Sequence, residues 1–280
     1  MSSKSSPEWS KRLLAVVTGE KFIRLLAISL VFAAFVGLWY LVSYVIIEEQ
    51  RRFIMPPLHS VINEAFVDGG ARSDLINGLL ITTRVALTGL AIAVFLGGLF
   101  AVLMSQARWM EWSFYPYAVL IQTLPILALV PLIGFWFGFN FQSRVIVCVM
   151  ISLFPIITNT LFGLKSADRG LHDVLTLRRA SRWQRFAKLQ LPSAAPSIFV
   201  GLRISAGLSV IGAIVGDFFF RQGKPGLGIL LDSYRATLQS ELLFGAVIMS
   251  SALGLTVFLI FGWLSNLVIG SWHESASSDS

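Results

Sequence analysis

Five stretches of this chain are long, apolar and free of Asp, Glu, Lys and Arg, and they restrict the fold more than any other feature. A helix needs about 20 apolar residues to cross the roughly 30 Å of hydrocarbon in a bilayer. The uncharged stretches are residues 25–47, 85–107, 112–143, 145–164 and 242–272, and a sixth apolar stretch, 198–220, carries only Arg203 and Asp217. Charged residues make up 13% of the chain, against about 25% in soluble domains. We therefore predict an all-α membrane protein with about six transmembrane helices.

The stretch 112–143 is too long for one straight helix and too short for two helices joined by a hairpin. It contains Pro116, Pro125 and Pro131. Each proline removes a backbone donor and kinks or ends a helix. Part of this stretch is therefore predicted to be a broken or re-entrant helix.

The basic residues predict the orientation, because cytoplasmic loops carry an excess of Lys and Arg. With both termini inside, fourteen basic residues fall on the inner side and eight on the outer side. The predicted order is a cytoplasmic tail (1–24), a first transmembrane helix (25–47), an outer loop (48–84), a core (85–272) and a cytoplasmic tail (273–280). The first apolar stretch exceeds the roughly 7–15 residues of a signal peptide, so we expect it to stay as an anchor.

The outer loop is predicted to contain an amphipathic helix that lies on the membrane interface. After Pro56 and Pro57, apolar residues recur at helical spacing at Leu58, Val61, Ile62, Ala65 and Phe66. Gly69 and Gly70 are expected to end this helix.

Motifs for catalysis or nucleotide binding do not occur in the sequence. The single Gly-Lys pair, Gly223-Lys224, is followed by proline, so there is no GxxxxGK[ST] loop for ATP. The three histidines lie in separate segments, and the one cysteine, Cys148, forms neither an intrachain disulfide nor a cysteine metal cluster. We expect no enzyme activity, no cofactor and no metal. The net charge of +7 predicts contact with anionic lipid rather than with nucleic acid.

The inner loop, 165–197, is basic and also rich in apolar residues. Ser181 followed by Gln184 is a capping box that predicts a helix start, and Pro192 and Pro196 are expected to end that helix. Residues 170–179 contain no helix breaker, so they predict a second helix and hence a helix-turn-helix. Its apolar residues are Leu171, Val174, Leu175, Leu177, Trp183, Phe186 and Leu189. Composition leaves two alternatives open for this surface, a protein partner or lipid headgroups.

The stretch LHDVLTLRRASRWQRFAKLQLPSAAPSIFVGLR (171–203) resembles the EAA loop of binding-protein-dependent ABC importer permeases. The segments TLPILALVPLIGFWFGFNFQSRV (123–145), FPIITNTLFGL (154–164) and GDFFFRQGKPGLGILL (216–231) resemble the group that imports nitrate, sulfonates, taurine, bicarbonate and pyrimidine vitamin precursors. The resemblance covers about residues 56–270. It implies a type I ABC importer permease fold in a bacterial inner membrane. It also implies cytoplasmic ATPase subunits, an external binding protein and a second copy of the chain as partners.

The resemblance assigns the inner loop to coupling with the ATPase. Asp173 stands at the motif's Glu, Val174 and Leu175 at its two alanines, and Leu191-Pro192 at its Leu-Pro. Arg179 replaces the usual glycine, which would allow a turn with positive φ between the two coupling helices. The complete set of predicted coupling residues is Asp173, Val174, Leu175, Arg179, Ala180, Ser181, Trp183, Arg185, Leu191 and Pro192.

A stripe of small residues in the sixth apolar stretch has two interpretations. Its members are Gly201, Ser205, Ser209, Gly212 and Gly216, followed by Asp217. The stripe either lets helices approach closely or leaves room for solute along a translocation path. Asp217 is predicted to form an ion pair with Arg221 four residues later, or else to contact solute or a gate. Arg84 and Arg144 are predicted to be interface anchors.

Three functions from different classes are compatible with these features. The leading prediction is the permease subunit of an ABC importer, for an anion of the nitrate, sulfonate or taurine type or for a thiamine-precursor pyrimidine or riboflavin. The segment GAIVGDFFFRQGKPGLG (212–228) favours the vitamin-type members. A secondary transporter would need inverted repeats and buried ionisable residues, of which only Asp217 qualifies. A membrane enzyme would need a catalytic constellation that the sequence lacks.

Overall fold

The computed structural model describes residues 20–269, and every regular element in that part of the chain is helical. The helices are α1 (Glu20–Leu41), α2 (Leu58–Ile62), α3 (Gly69–Gln106), α4 (Arg108–Thr123), α5 (Ile126–Phe137), α6 (Phe141–Lys165), α7 (Arg169–Leu177), α8 (Arg182–Arg185), α9 (Leu191–Phe219), α10 (Leu227–Ala236) and α11 (Ser240–Ile269). Single π-helical turns extend α1 (Val42–Ile46), α2 (Asn63–Val67) and α8 (Phe186–Gln190), and a 3₁₀ helix covers Glu49–Ile54. Most of the predicted tail 1–24 and all of the tail 273–280 lie outside the described residues.

Five helical stretches are long and apolar enough to cross a bilayer, and the bent pair α4 and α5 supplies a sixth span within the described residues. The two helices of the pair meet at an angle of 100°. The start of α4 lies at the end of α6, where Glu111 forms an ion pair with Lys165. Beyond α5, the Phe139 carbonyl accepts a hydrogen bond from the Gln222 amide, just past the end of α9 (3.0 Å). The pair therefore joins opposite ends of the bundle and is a broken span, one of the two predicted possibilities.

The core of the bundle is α6, which packs between α3 and α9. Small residues bring the three backbones together. A Cβ added to Gly89 of α3 would lie 2.5 Å from the Cys148 Cβ, and one added to Gly212 of α9 would lie 2.8 Å from the Cys148 Cα. Close approach of this kind gives helices in lipid their packing contacts, since lipid tails are as apolar as the side chains.

The helix α1 lies outside this core. No residue in the most apolar part of it is buried in the single chain. Near its end, Trp39 donates a hydrogen bond to the Pro56 carbonyl (3.0 Å) and packs edge-on against Phe244, and the Tyr40 ring stacks on His59 of α2.

The helix α3 is much longer than its uncharged stretch. It begins at Gly69 and includes Arg72, Asp74 and Arg84, so the second half of the predicted outer loop 48–84 is helical and continuous with the membrane span. Its 38 residues extend over roughly 57 Å, well beyond the thickness of the hydrocarbon. An uncharged stretch marks the part of a helix inside the membrane and not its ends.

The predicted amphipathic helix is present as α2 with its π-helical turn, and it ends before Gly69 as expected. Val61 and Ala65 are fully buried, and Gly245 of α11 lies directly against Ala65. The helix therefore packs its buried face on α11, and Ile62 and Val67 remain exposed. Its predicted place on the membrane interface stays a prediction.

The helices α8 and α9 form one continuous helical stretch, Arg182–Phe219. The prediction that Pro192 and Pro196 end a helix is therefore wrong. Pro192 lies in the first turn of α9, directly after the π-helical turn, and Pro196 lies inside α9. Local π adjustments satisfy the backbone groups that a proline frees. The result is a rigid connection from the inner loop into the core.

Candidate functional site

The helices α7 and α8 form a helical hairpin at one end of the bundle. We call this end of the bundle the hairpin end. The opposite end, which holds the buried ion pair of Arg144 and Asp217, is called the clamp end. The Asp168 carboxylate accepts a hydrogen bond from the Leu171 amide (3.1 Å) at the start of α7. Ser181 Oγ accepts one from the Gln184 amide (3.2 Å), and Gln184 Oε1 accepts one from the Ser181 amide (2.8 Å). The predicted capping box is therefore confirmed, and each cap stabilises its helix by about 1 kcal/mol.

The turn of the hairpin is built at Arg179, which has a φ of 53°. The Arg179 amide donates to the Thr176 carbonyl and the Ala180 amide to the Leu175 carbonyl, both at 2.9 Å. This pair of bonds is the Schellman arrangement that ordinarily has glycine at the positive-φ position. The turn thus keeps the geometry that the family's glycine allows, although an arginine there costs about 1–2 kcal/mol.

Arg185 links the two halves of the hairpin from within. Its Nε donates to the Ala180 carbonyl (3.2 Å) and its Nη1 to Thr176 Oγ1 (3.3 Å). The side chain is half-buried. These contacts give Arg185 a part in holding α7 against α8.

The outer face of the hairpin carries an apolar patch, made of Leu171, Val174, Leu177 and Trp183. Leu177 is 84% exposed and Trp183 is 73% exposed. Leu171, Val174 and Leu177 recur every three residues and so share one side of α7. Clustered apolar side chains of this size on a surface indicate a contact with another protein or with a membrane.

The other predicted coupling residues surround this patch. Asp173, Arg179 and Ser181 are exposed, and Leu175 and Ala180 are half-buried inside the hairpin. Leu191 and Pro192 lie exposed on the first turn of α9. The structure therefore brings most of the predicted coupling residues together.

The base of the hairpin is held to the bundle by buried apolar residues, and an ion pair lies beside it. Leu189 of the π-helical turn is buried, as is Ala167 at the start of the loop. The ion pair between Lys165 and Glu111 joins the end of α6 to the start of α4. A displacement of the hairpin would therefore be passed both to α9 and to the broken span.

The clamp end is organised around a buried ion pair that the sequence did not predict. Arg144 Nη1 lies 2.9 Å from Asp217 Oδ1, with the two side chains 2% and 0% exposed. Arg144 also donates to three carbonyls beyond α9, those of Phe220 (2.9 Å), Gln222 (3.0 Å) and Lys224 (3.2 Å). One guanidinium thus holds the connection from α9 to α10 against α6. We call this network, with Thr82, the clamp.

Thr82 completes the clamp from α3. Its hydroxyl donates to Asp217 Oδ2 (2.8 Å) and accepts a hydrogen bond from the Leu227 amide (2.8 Å). A side chain on Gly226 would overlap the Asp217 carboxylate, and one on Gly228 would overlap the Ile214 carbonyl. These two glycines are required because the loop backbone passes directly over the carboxylate.

Two predictions about charged residues at this end are therefore wrong. Asp217 pairs with Arg144 and not with Arg221, which instead forms an ion pair with Asp232. Arg144 is buried and is not an interface anchor. The sequence did contain a signal, since Arg144 interrupts one apolar stretch and Asp217 another near the same predicted side of the membrane.

The small-residue stripe of α9 faces α6. A Cβ on Gly201 would lie 2.8 Å from the Asn159 Cβ, and one on Gly216 would lie 3.0 Å from the Arg144 Cα. Ser205 Oγ donates to the Ser152 carbonyl (2.7 Å), and Ser209 is fully buried. All six residues predicted as a possible path, from Gly201 to Asp217, are buried inside one chain. Close helix packing, the first of the two interpretations, is what the structure shows for them, and it does not support the path prediction.

The fold and the exposed hairpin define the class of protein as a multi-pass helical membrane protein with an apolar surface patch at one end. Residues 89–270 match the family described as the binding-protein-dependent transport system inner membrane component. A formylaminopyrimidine transport permease protein of Halalkalibacterium halodurans is 35% identical over 193 residues, which cover 69% of this chain and 76% of that protein. A riboflavin transport system permease protein of Chloroflexus aurantiacus is 33% identical over 171 residues, 61% of this chain and 63% of that protein.

A solved structure has the same fold. It is described as an amino acid ABC transporter with histidines, and it superposes with a TM-score of 0.55 at 21% identity, over 70% of this chain and 93% of that one. The chain belongs to the inner membrane components of binding-protein-dependent transport systems, the permeases of ABC importers. This confirms the family and the fold that the sequence predicted.

Proposed function

We propose that this chain is the permease subunit of a bacterial ABC importer and that its helical hairpin docks into a cytoplasmic ATPase subunit. The observation that supports this most is the apolar patch on a capped, rigid hairpin in a chain of this family. The hairpin end then faces the cytoplasm, with both termini on that side of the inner membrane. The clamp end faces an external binding protein. ATP is hydrolysed by the partner and not by this chain, and two copies form the membrane part.

The continuity of the helices supports a mechanism for coupling. Closure of the ATPases on ATP would push the hairpin, and the stretch Arg182–Phe219 would carry that displacement through the membrane as a rigid body. At its far end this stretch carries Asp217 and so holds the clamp. The same displacement would therefore reach the loop at the clamp end, where a binding protein delivers solute.

For the solute we propose a small vitamin-type heterocycle, a pyrimidine or a flavin. The support comes from the two relatives named for formylaminopyrimidine and riboflavin transport. An anion of the sulfonate or nitrate type is the alternative, since the motifs of the chain also resemble permeases for those solutes. Uptake assays with each class of labelled solute distinguish them.

The coupling proposal is tested by placing a charge in the apolar patch. Leu177→Asp, in the complete transporter reconstituted in vesicles, should reduce ATPase co-purification and ATP-driven uptake at least tenfold, because a carboxylate would be desolvated in the docked interface. Leu238→Asp is the matched control for ATPase co-purification, since Leu238 is 70% exposed and lies near the clamp end, away from the hairpin. Equal ATPase co-purification by the two variants would contradict the coupling role of the hairpin.

A secondary transporter remains the alternative class. It would carry solute with a coupling ion and without an ATPase. Vesicles that contain this chain alone are the decisive sample. Solute accumulation driven by an ion gradient in those vesicles would replace the ABC proposal.

A further inference from the structure

The break between α4 and α5 leaves polar backbone groups without helical partners inside the membrane. The Leu120 carbonyl accepts the Leu124 amide (3.1 Å), and Pro125 has no amide hydrogen to donate. In the described part of the chain, no backbone amide bonds to the carbonyls of Ile121, Gln122 or Thr123. Irregular backbone at membrane depth is tolerated only where protein buries it or where it lines a water-filled cavity. In the single chain, Leu124 is exposed, so the chain itself does not bury the break.

A cavity of about 250 Å³ lies directly at the break. Its walls include Gln122, Leu124, Ile126, Met150, Pro155 and Leu208. Pro155 lies near the middle of α6 (Phe141–Lys165), and Leu208 lies in the central part of α9 (Leu191–Phe219). The cavity is therefore near the midplane of the bundle, between the hairpin and the clamp.

Gln122 is the polar side chain of this cavity. Gln122 is exposed, and no side-chain hydrogen bond within residues 20–269 involves it. An amide at this depth needs a partner, because its burial in hydrocarbon without a hydrogen bond is unfavourable. Water or a passing solute in the cavity would supply one.

The chemistry of the walls also selects the solute. No residue that lines the cavity is ionisable. A bare anion would find no cationic partner there, and a charge in an apolar cavity is strongly disfavoured. A neutral heterocycle is favoured, since its flat apolar faces suit Met150 and Pro155, and its ring nitrogens and exocyclic groups suit the glutamine amide and the free carbonyls.

We infer that this cavity at the helix break is a solute-contact point on the translocation path and that the Gln122 amide recognises the polar edge of an uncharged heterocyclic solute. The inference depends on the proposed importer function. It moves the path away from the small-residue stripe of α9, which is occupied by packing against α6.

The test uses the complete transporter in vesicles, with labelled formylaminopyrimidine, riboflavin and nitrate as probes. Gln122→Leu keeps the size of the side chain and removes its hydrogen bonds. It should reduce the maximal uptake of the heterocycle that the wild type imports by about five- to tenfold, the effect of one lost hydrogen bond. Solute binding to the binding protein and ATPase stimulation by that protein should be unchanged. Gln106→Leu is the matched control, since Gln106 is exposed at the end of α3, outside this cavity and outside the hairpin.

A second variant measures the location without relying on transport rates. Gln122→Cys should react with a membrane-impermeant thiol reagent, and the imported heterocycle should slow that reaction. The native Cys148 is fully buried and serves as an unreactive background. An unreactive Cys at position 122, or a reaction rate that solute does not change, would overturn the inference.

The outcomes separate this inference from the proposed function. Normal uptake by Gln122→Leu together with lost uptake by Leu177→Asp would remove the cavity's role and leave the importer function standing. Import of nitrate and of neither heterocycle by the wild type would overturn the proposed solute class. An absence of any ATP-dependent uptake by the wild type would remove the proposed function itself.

Discussion

The two ends of the bundle are built from different kinds of contact. Within the hairpin the hydrogen bonds are local, as between Ser181 and Gln184, and the apolar patch is left exposed. At the clamp end the bonds join residues far apart in the chain, such as Thr82 and Asp217, and they are fully buried. A locally bonded element keeps its shape when it moves, whereas long-range bonds fix helices to one another. The comparison indicates that the hairpin can move as a rigid unit, whereas the clamp fixes the helices at its end to one another.

The largest effect is expected from removal of one member of the buried ion pair. Asp217→Leu should lower the free energy of unfolding by about 3–5 kcal/mol, because the Arg144 charge stays buried without its partner. The double variant Arg144→Met with Asp217→Leu should recover part of that loss. Thermal unfolding in detergent measures both.

An exposed ion pair at the same end is the control. Arg221 is 64% exposed where it meets Asp232, so Arg221→Met should cost less than about 1 kcal/mol. If Asp217→Leu is no more destabilising than Arg221→Met, the clamp does not stabilise the packing of the helices.

A smaller loss of stability is expected when the clamp is overpacked. Gly226→Ala would push a methyl group into the Asp217 carboxylate and should cost about 1–3 kcal/mol. Gly70→Ala is the control, because the nearest atom to its added Cβ, Asp68 Oδ2, is 3.9 Å away. Equal melting temperatures for the two variants would show that the loop does not pass tightly over the carboxylate.

The smallest effect is expected at the turn of the hairpin, and it should be stabilising. Arg179→Gly removes the penalty of a positive φ and should stabilise the hairpin by about 1 kcal/mol. Hydrogen exchange at the Ala180 and Gln184 amides should slow accordingly. Arg178→Gly is the matched control, because Arg178 has a φ of −77° and glycine there should speed exchange instead. Faster exchange in Arg179→Gly would contradict the account of the turn.

Clamp variants should alter global unfolding of the protein, whereas hairpin variants should alter only local opening of the hairpin. Local and global free energies are distinguishable in hydrogen exchange. A hairpin variant that lowers the melting temperature as much as Asp217→Leu would show that the two ends are one cooperative unit.

The sequence predicted the features that depend on neighbours along the chain. The capping box at Ser181 follows from residues three apart, and a break within 112–143 follows from prolines that lack an amide hydrogen. The structure places that break at Pro125, whereas Pro116 and Pro131 lie inside helices. Arg179 at the family's glycine position was identified as a departure, and only the structure shows that the turn keeps a positive φ there. The start of α3 was missed because charged residues mark the edge of the hydrocarbon and say little about where a helix begins.

The sequence by itself therefore determined the number of spans, the helical hairpin and its capped ends, because hydrophobic length and capping chemistry act over one or two helical turns. Only the tertiary structure decided the partner of Asp217, the use of the small-residue stripe for packing and the cavity beside Gln122. Each of these needs helices distant in sequence to be placed side by side, and no local pattern specifies which helix faces which.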